Sequence, residues 1–328
     1  MNRRNTLFAL LALGAAPLAS LAQQPRNVWR IGILSQTTRP ATLDADNLSN
    51  FLRGLRELGY VEGRNLIVEW RFADDKLDRL PALAAELVAL RADVLVSTAN
   101  AGPLALQKAT SEIPIVMTSA SDPVGSGLVK SLARPGGNIT GLSTINAELS
   151  PKRLELLLEI VPRLSHVAVL LDPASPANRP ILESLEAAAK KPGVKVLALE
   201  TRTLREIEDA FGAMARHKVR ALIVPSDPLF SQHRFRIAEL AAKNRLPSLS
   251  ADRRYAEAGS LASYGTSLSE SYHRAAAYAD RILKGARPGD LPVEQPTTFE
   301  LVINAKTAKT LGIRIPQSLL IRADRVIE

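Results

Sequence analysis

The chain has 328 residues, a formal net charge of +9 and no cysteine. This length predicts about two domains, and the lack of cysteine excludes disulfides, thiolate metal sites and thiol catalysis. Basic and acidic residues alternate along the predicted helices, as at Lys152, Arg153 and Glu155, so we interpret the charge as a solvated surface. No basic run of binding-site length follows the first residues, and we expect no nucleic-acid partner.

The first residues have the features of an export signal. Arg3 and Arg4 precede an apolar run that is too short to span a bilayer, and Ser20-Leu21-Ala22 has small residues at the two positions that a signal peptidase reads. We predict a signal peptide over residues 1–22 with cleavage after Ala22, and loss of its two arginines leaves a net charge of +7. Arg3-Arg4 fits both a Sec and a twin-arginine signal. The expected location is the bacterial periplasm, with the export route open between the two.

Continuous apolar runs, separated by segments long enough for a helix, predict a mostly parallel sheet, because such runs suit strands that are covered on both faces. The runs lie at residues 31–34, 94–96, 115–117, 167–171 and 221–224. Between them, apolar residues follow the spacing of one helix face. These helical patterns lie at residues 48–58, 80–88, 154–161 and 272–283, with one helix expected to begin near Ser150. Alternating strands and amphipathic helices predict a doubly wound α/β architecture.

Two pauses in this series divide the chain into two similar lobes. A turn at residues 134–138 separates a first set of strands and helices from a second set. A strand at 260–264, a helix at 272–283 and a strand at 299–303 follow the second set, which indicates that the chain returns to the first lobe. The predicted lobes comprise residues 27–145 plus 263–295 (lobe 1) and residues 146–262 plus 296–328 (lobe 2).

Polar side chains follow most of the predicted strands. In open α/β sheets, ligands bind outside the carboxyl ends of the strands, and hydroxyls with free amides at helix N-termini suit a carboxylate. Asp172, Asp227 or Asp252 is suited to an ammonium group, so the pattern fits a small zwitterion such as an amino acid. Capping of helices by the same residue types is the alternative. Tyr264 is a candidate wall or lid residue. The other candidates are Ser35, Gln36, Thr98, Asn100, Ala101, Ser119, Ser121, Ser175 and Ser226.

The sequence carries no motif for catalysis or for a metal. Its four histidines have no metal-ligand spacing on a helix. Neither a glycine-rich phosphate loop nor a Gly-x-Ser-x-Gly nucleophile turn is present. We therefore predict that the protein is not an enzyme and that it needs no metal or organic cofactor.

Several separated stretches resemble one family. Three of them lie between residues 121 and 141: Ser121-Asp122-Pro123-Val124, Gly127-Leu128-Val129, and Arg134-Pro135-Gly136-Gly137-Asn138-Ile139-Thr140-Gly141. The later ones are Leu291-Pro292-Val293-Glu294-Gln295-Pro296, Phe299-Glu300-Leu301-Val302-Ile303-Asn304, Thr307-Ala308-Lys309 and Ile321-Arg322-Ala323-Asp324. Together they resemble the ABC-transporter substrate-binding family that includes tryptophan- and tyrosine-type binding proteins, and the later stretches are similar to its proteobacterial branch.

The resemblance implies the type 1 periplasmic-binding fold, in which two lobes joined by three crossings hold a ligand in their cleft. It implies that the strand-end candidates of the first lobe line this cleft, and that Asp172, Ser175, Ser226, Asp227 and Asp252 face them. Residues 98–101 read Thr-Ala-Asn-Ala, where aromatic amino acid binders of the family tend to carry a proline-containing variant. Aromatic residues make up only 4% of the chain, and we expect no stacked aromatic cage.

The function that the resemblance implies is capture of a small polar solute, an amino acid or a small carboxylate, in the periplasm. Hinge closure of the lobes would then deliver the solute to an ABC importer. The expected partners are this small-molecule ligand and an ABC permease at the inner membrane, and the binding protein itself is expected to be a monomer. Presentation of the ligand to a sensor or chemoreceptor is one alternative. An exported α/β enzyme is the other, and the missing catalytic motifs disfavour it.

Overall fold

The structure is a computed structural model that describes residues 28–40 and 47–328. The predicted signal peptide lies outside the described residues. The described chain contains twelve strands and twelve α-helices, which alternate over most of its length. The strands are β1 (Trp29–Ser35), β2 (Leu66–Phe72), β3 (Val94–Ser97), β4 (Ile115–Ser121), β5 (Ile139–Thr144), β6 (His166–Leu171), β7 (Lys195–Glu200), β8 (Ala221–Val224), β9 (Ser248–Ser250), β10 (Ala262–Gly265), β11 (Glu300–Asn304) and β12 (Arg325–Ile327).

The helices connect these strands and cover them. They are α1 (Leu48–Glu57), α2 (Leu80–Ala89), α3 (Ala101–Ala109), α4 (Asn146–Ile160), α5 (Asn178–Lys190), α6 (Leu204–Arg216), α7 (Pro228–Gln232), α8 (Arg234–Lys243), α9 (Arg253–Glu257), α10 (Leu268–Leu283), α11 (Ala305–Leu311) and α12 (Gln317–Arg322). No helix of the described ranges is long and apolar enough to cross a membrane.

The strands form two separate sheets, and each sheet is the centre of one lobe. The first sheet has five parallel strands in the order β2-β1-β3-β4-β5. The second has seven strands in the order β12-β11-β10-β9-β8-β6-β7, and only its β10–β11 pair is antiparallel. Parallel strands need crossover connections, which is why a helix lies between most successive strands. The predicted α/β class with two doubly wound lobes is confirmed.

Helices cover both faces of each sheet. In the first lobe, α1 and α10 pack on one face through residues such as Phe51 and Ala275, and α2 and α3 pack on the other. In the second lobe, α4, α5, α11 and α12 cover one face, and α6, α8 and α9 cover the opposite one. Because every central strand is buried on both faces, its residues form the continuous apolar runs seen in the sequence.

Three short segments connect the two lobes. The first joins β5 to α4 and the second joins β10 to α10. The third follows Glu294, which bridges to Leu142 of the first sheet before the chain enters β11 of the second. The structure differs from the predicted boundary at residue 263, because β10 pairs with β9 and β11 in the second sheet. The chain therefore leaves the second lobe after Gly265.

The strands and helices predicted from apolar patterns are confirmed, with shifts of a few residues at their ends. The sequence analysis missed β2, β7 and β12, which lie at the edges of their sheets. Strand β7 is partly exposed along its whole length, so it lacks a continuous apolar run. Helix α4 begins at Asn146 rather than near Ser150, and Pro151 lies inside it.

One charged residue contradicts the interpretation of the helix charges as a solvated surface. Arg153 is fully buried, with 0% of its side chain exposed, whereas Lys152 and Glu155 form an exposed ion pair on the same helix. Arg153 lies four residues after the buried Leu149 and four before the buried Leu157. It therefore occupies the inward-facing side of α4.

Candidate functional site

One cavity, which we call the main cavity, lies between the two lobes at the carboxyl ends of their strands. Its volume is about 350 Å³, which is in the usual range of small-molecule pockets. The first lobe contributes residues that follow β1, β3, β4 and β5, together with the starts of α1 and α10. The second lobe contributes residues that follow β6 and β8, and one arginine of α9. The cavity therefore occupies the position at which open α/β sheets bind ligands.

The wall formed by the first lobe is rich in hydroxyl and amide groups. It contains five of the predicted site residues, which are Ser35, Thr98, Asn100, Ser119 and Ser121. The one charged group that this wall contributes among the described residues is Arg39, which is exposed at the rim. Leu48, Leu268 and Tyr272 add an apolar surface.

Helix α3 points its N-terminus towards the main cavity. The preceding residue Ala99 has a left-handed backbone with φ of +52°, which turns the chain from β3 into the helix. Asn100 does not cap the helix; its side chain accepts from Ser121 N at 2.9 Å and donates to Ser121 O at 2.6 Å. A side chain at Gly102 would collide with Ser97 Oγ, so glycine allows the helix to start directly against the strand. The first amides of α3 thus have no side-chain cap and favour an anion.

The wall formed by the second lobe presents a buried carboxylate. Asp227 is 5% exposed and begins α7, with its Oδ1 accepting from Leu229 N at 2.9 Å. Burial, repulsion from Asp172 and a smaller repulsion from Asp75 raise the pKa of Asp227 to about 7, although hydrogen bonds from Leu229 N and Ser175 oppose the rise. Within the described ranges, no lysine, arginine or histidine forms an ion pair with Asp227. A ligand that carries a cation would supply the missing partner.

A second charged group of this wall is Arg254. Its guanidinium is held by Asp252, with Nη2 to Oδ2 at 2.9 Å, and Asp252 also caps α9 by accepting from Arg254 N at 2.8 Å. Burial is the largest single influence on the pKa of Arg254 and lowers it, but the charge and hydrogen bonds of Asp252, with smaller contributions from Tyr272 and Tyr255, together outweigh burial and raise the pKa. The charge of Asp252 is therefore balanced by Arg254 within the second lobe. Asp252 does not line the main cavity, whereas Arg254 does.

The side chains of Asn47 and Gln232 join the lobes across the cleft. The amide of Asn47, with its oxygen assigned towards Arg254, accepts from both Nη atoms at 3.1 and 3.2 Å, while its nitrogen donates to Ser269 Oγ at 3.3 Å. Gln232 Oε1 accepts from Thr38 N at 3.3 Å. Both contacts connect a residue of the first lobe with one of the second, so the lobes lie closed against each other.

A smaller cavity of about 190 Å³ adjoins the main one and shares Asp227 and Pro228 with it. Its lining includes Gln36, Asp75, Asp172 and Arg202. Burial raises the pKa values of both Asp75 and Asp172. The acidic groups of this cavity thus lie close enough to Asp227 to contribute to its raised pKa. Among the described residues, no group of three or more His, Asp or Glu side chains is placed to hold a metal ion.

The structure brings eight of the thirteen predicted site residues together around the main cavity. These are Ser35, Thr98, Asn100, Ser119, Ser121, Ser175, Ser226 and Asp227. Gln36 and Asp172 line the smaller cavity instead. Ala101 packs against the hydrophobic core of the first lobe. Asp252 does not line the main cavity but binds the guanidinium of Arg254, which does.

Tyr264 is neither a wall nor a lid of the main cavity. Its ring packs against the core of the second lobe, with its centroid 6.3 Å from that of Phe299. The side chain of Tyr264 is not part of the lining of the main cavity.

Sequence reasoning missed several residues of the cavity. Arg254, Asn47, Asn146 and Tyr272 line it, and none of them directly follows one of the apolar runs from which strands were predicted. Arg254 offered one usable signal, because it lies two residues after Asp252, which was itself a candidate. Tyr272 is the one aromatic side chain that the described residues contribute to the main cavity.

Comparison with known proteins identifies the family. The family model described as ABC transporter substrate binding protein matches residues 31–327. The chain belongs to this family. A curated relative, a tyrosine-binding protein from Clostridioides difficile, is 29% identical over 284 residues, which cover 87% of this chain and 81% of the relative. The family and its solved members are substrate-binding proteins, and this substrate-binding protein has the type 1 periplasmic-binding fold that they share.

Two solved structures are similar to this substrate-binding protein over almost their whole length. The ABC domain in complex with L-Trp from Streptococcus pneumoniae is 29% identical, with a TM-score of 0.84 and coverage of 91% of this chain and 99% of that one. The ligand-free, open structure of a substrate-binding protein with adhesive properties from Clostridium difficile is 27% identical, with a TM-score of 0.65 and coverage of 92% and 99%. At nearly equal identity, the lobe arrangement described above is thus more similar to the L-Trp complex than to the open form.

Proposed function

We propose that this substrate-binding protein captures an amino acid in the main cavity. Asp227 carries the proposal, because a buried carboxylate without a cationic partner favours a ligand ammonium group and disfavours a small ligand that is only anionic. The uncapped N-terminus of α3 on the opposite wall is suited to the ligand's α-carboxylate. The two ends of an amino acid thus find opposite charges on opposite lobes.

The side chain of this amino acid is proposed to be apolar or aromatic. Leu48, Leu268 and Tyr272 line the part of the cavity contributed by α1 and α10. The names of the relatives, a tyrosine-binding protein and an ABC domain in complex with L-Trp, support the same choice. A single tyrosine is a wall for such a side chain rather than a stacked cage.

The experiment that tests this proposal is isothermal titration calorimetry with matched ligands. We expect one of the large apolar or aromatic L-amino acids to bind with a dissociation constant near ~1 μM, which corresponds to about −8 kcal/mol. Its amine without the carboxylate, and its acid without the amino group, should each bind at least about 100-fold more weakly. If the acid without the amino group binds as tightly as the amino acid, the proposed role of Asp227 is wrong. Small carboxylates would then be the favoured ligands.

We further propose that the mature protein, after cleavage behind Ala22, works in the periplasm as a monomer and delivers its ligand to an ABC permease. Family membership supports the permease as partner, and the sequence of residues 1–22 supports export. Deletion of the gene should abolish uptake of the radiolabelled ligand by intact cells. Intact uptake together with a lost chemotactic response would instead favour delivery to a sensor.

The lobes are proposed to comprise residues 27–145 plus 266–295 and residues 146–265 plus 296–328. This division keeps every strand with its own sheet. Ligand binding between such lobes shifts their equilibrium towards the closed form only as far as the closed form binds more tightly.

A further inference from the structure

Arg153 is the largest fully buried side chain of the described chain and lies at the hinge between the lobes. It belongs to α4, the helix that follows the first crossing, and its guanidinium is directed back towards that crossing. Nη1 donates to Asn146 O at 3.0 Å and Nη2 donates to Asn146 Oδ1 at 3.2 Å. On its other side, Nε donates to Tyr264 O at 2.9 Å.

These hydrogen bonds connect the second-lobe ends of two of the three crossings. Asn146 is the first residue of α4, directly after the segment that leaves β5. Tyr264 belongs to β10 and lies two residues before Thr266, in the segment that returns to the first lobe. The planar guanidinium presents its donors in fixed directions. It therefore holds the two crossings at a defined separation, which a flexible lysine would not do.

The position of Arg153 is unfavourable for stability alone. No carboxylate of the described residues forms an ion pair with it, and its acceptors are two carbonyl groups and one amide oxygen. Burial lowers its pKa to about 10. Because replacement of buried ionic groups by well-packed apolar side chains of similar volume is often neutral or stabilising, stability alone does not account for the charge at this site.

Asn146 connects this guanidinium to the ligand cavity. Its side chain lines the main cavity, and its Nδ2 donates to Thr144 Oγ1 at 3.2 Å, a second residue of the lining. With its amide oxygen held by Arg153, Asn146 has its amide nitrogen directed towards the cavity side. The orientation of one cavity group and the spacing of two crossings thus depend on the same guanidinium.

We propose that Arg153 is a positioning residue for ligand binding, which orients the Asn146 amide at the cavity and restricts the lobes to the angle at which the ligand is held. The proposal rests on the proposed binding of a ligand between the lobes. It assigns Arg153 no contact with that ligand.

The test compares Arg153→Lys and Arg153→Gln with Arg179→Gln, whose arginine is exposed on α5. The ligand's dissociation rate is measured by stopped flow. The separation of the lobes is measured by electron–electron double resonance between spin labels at Glu112→Cys and Glu239→Cys, one exposed site in each lobe of a chain without native cysteine. We expect the dissociation rate to rise about tenfold or more in both Arg153 variants. The lobe-separation distribution of the ligand-free protein should broaden, while the Arg179 variant matches the wild type.

An Asn146→Ala variant separates positioning from a general loss of stability, because it leaves Arg153 unchanged. Because the backbone acceptors Asn146 O and Tyr264 O remain in Asn146→Ala, Arg153→Lys should still raise the dissociation rate in that background, but about threefold less than in the wild type. Equal effects of Arg153→Lys in both backgrounds would overturn the proposal. So would folded Arg153 variants with wild-type dissociation rates and lobe separations.

The proposal can still be tested if the Arg153 variants do not fold, or if no amino acid binds the wild type. If neither Arg153 variant folds, Asn146→Ala alone must raise the dissociation rate about tenfold, and an unchanged rate overturns the proposal. If no amino acid binds the wild type, the proposed function fails, but the lobe separation of the ligand-free variants still tests the hinge role. An unchanged separation then overturns the inference independently of the ligand.

Discussion

The two walls of the main cavity present charge in different ways. The wall of the first lobe offers hydroxyls, amides and the N-terminus of α3, and its one described charge lies at the exposed rim. The wall of the second lobe offers the buried Asp227, together with Arg234 and Arg254. The hydrogen-bond donors of the first wall therefore favour an anionic group of the ligand. Asp227 of the second wall, whose charge is balanced by no ion pair of the described residues, favours a cationic group of the ligand.

The difference between the charges of the two walls explains how a closed cleft selects a zwitterion. Neither wall alone distinguishes an amino acid from an acid or from an amine. When the lobes close, the two preferences act on one ligand at the same time, and a ligand that lacks either charge leaves a buried polar group without its partner. Selectivity therefore depends on the closed arrangement as much as on the lining residues.

The largest effect is expected from removing the charge of the second wall. Asp227→Asn should weaken amino acid binding by about 100-fold or more, because the ligand ammonium group loses its carboxylate. The same change should raise the free energy of unfolding of the ligand-free protein by about 1–2 kcal/mol at pH 8, since a buried unneutralised charge disappears. Calorimetry and thermal unfolding measure the two quantities.

Asp209→Asn is the matched control, because Asp209 is exposed on α6 and remote from the cavity lining. It should leave both affinity and stability unchanged. If Asp227→Asn binds the amino acid as tightly as the wild type, the assignment of the cation-binding wall is wrong.

The pH dependence of binding is expected to follow Asp227. Its pKa of about 7 in the folded protein lies above the ordinary value of 3.8. For the ligand-free protein, its contribution to stability is therefore full below about pH 4 and is lost as the pH rises through 7. A ligand ammonium group favours the ionised carboxylate, so the affinity should increase by about tenfold or more between pH 5.5 and 7.5.

Calorimetry across this pH range, in two buffers of different ionisation enthalpy, checks the prediction by counting protons released on binding. We expect release of nearly one proton at pH 6 in the wild type and a flat profile in Asp227→Asn. A wild-type affinity that falls as the pH rises would show that the carboxylate binds in its protonated form.

A smaller effect is expected from the contact that joins the walls directly. Asn47 accepts from Arg254 across the cleft, and its side chain does not cap α1. Asn47→Ala should therefore weaken ligand binding by about three- to tenfold through faster dissociation, with little change in the free energy of unfolding.

Ser269→Ala is the control for this contact, because Ser269 bonds Asn47 from within the first lobe. It removes a neighbour of Asn47 but leaves the bridge to Arg254. Equal dissociation rates in Asn47→Ala and in the wild type would show that the bridge does not stabilise the closed form.

The sequence predicts those parts of the fold and site that depend on local pattern. Central strands such as β8 are buried on both faces and form continuous apolar runs, so their carboxyl ends can be located from the sequence. Ser226 and Asp227, which follow β8, line the main cavity. The edge strand β7 has no such run. The contact between Asn47 and Arg254 depends on the angle between two lobes, which no local pattern encodes.

The burial of Arg153 could be predicted from its spacing in the sequence, although the charged residues around it indicated a solvated helix face. Its spacing from Leu149 and Leu157 places it on the buried side of α4, while its exposed neighbours Lys152 and Glu155 suggested a solvated face. Helical position predicts burial better than residue type here, because the side chain finds backbone acceptors in α4 and β10, two elements that are distant in sequence.

The smallest effect is expected at Tyr264, which lies near the second wall in sequence but not in its lining. Its ring packs towards Phe299, and its link to the hinge is the backbone carbonyl that Arg153 binds. Tyr264→Phe keeps both features, so affinity should stay within about twofold of the wild type and the free energy of unfolding within about 0.5 kcal/mol. Tyr272→Ala, at the aromatic position of the first wall, should by contrast weaken binding by about tenfold. A Tyr264→Phe variant with weakened binding would place that hydroxyl in the site after all, and the second wall would then extend along β10 beyond the lining described above.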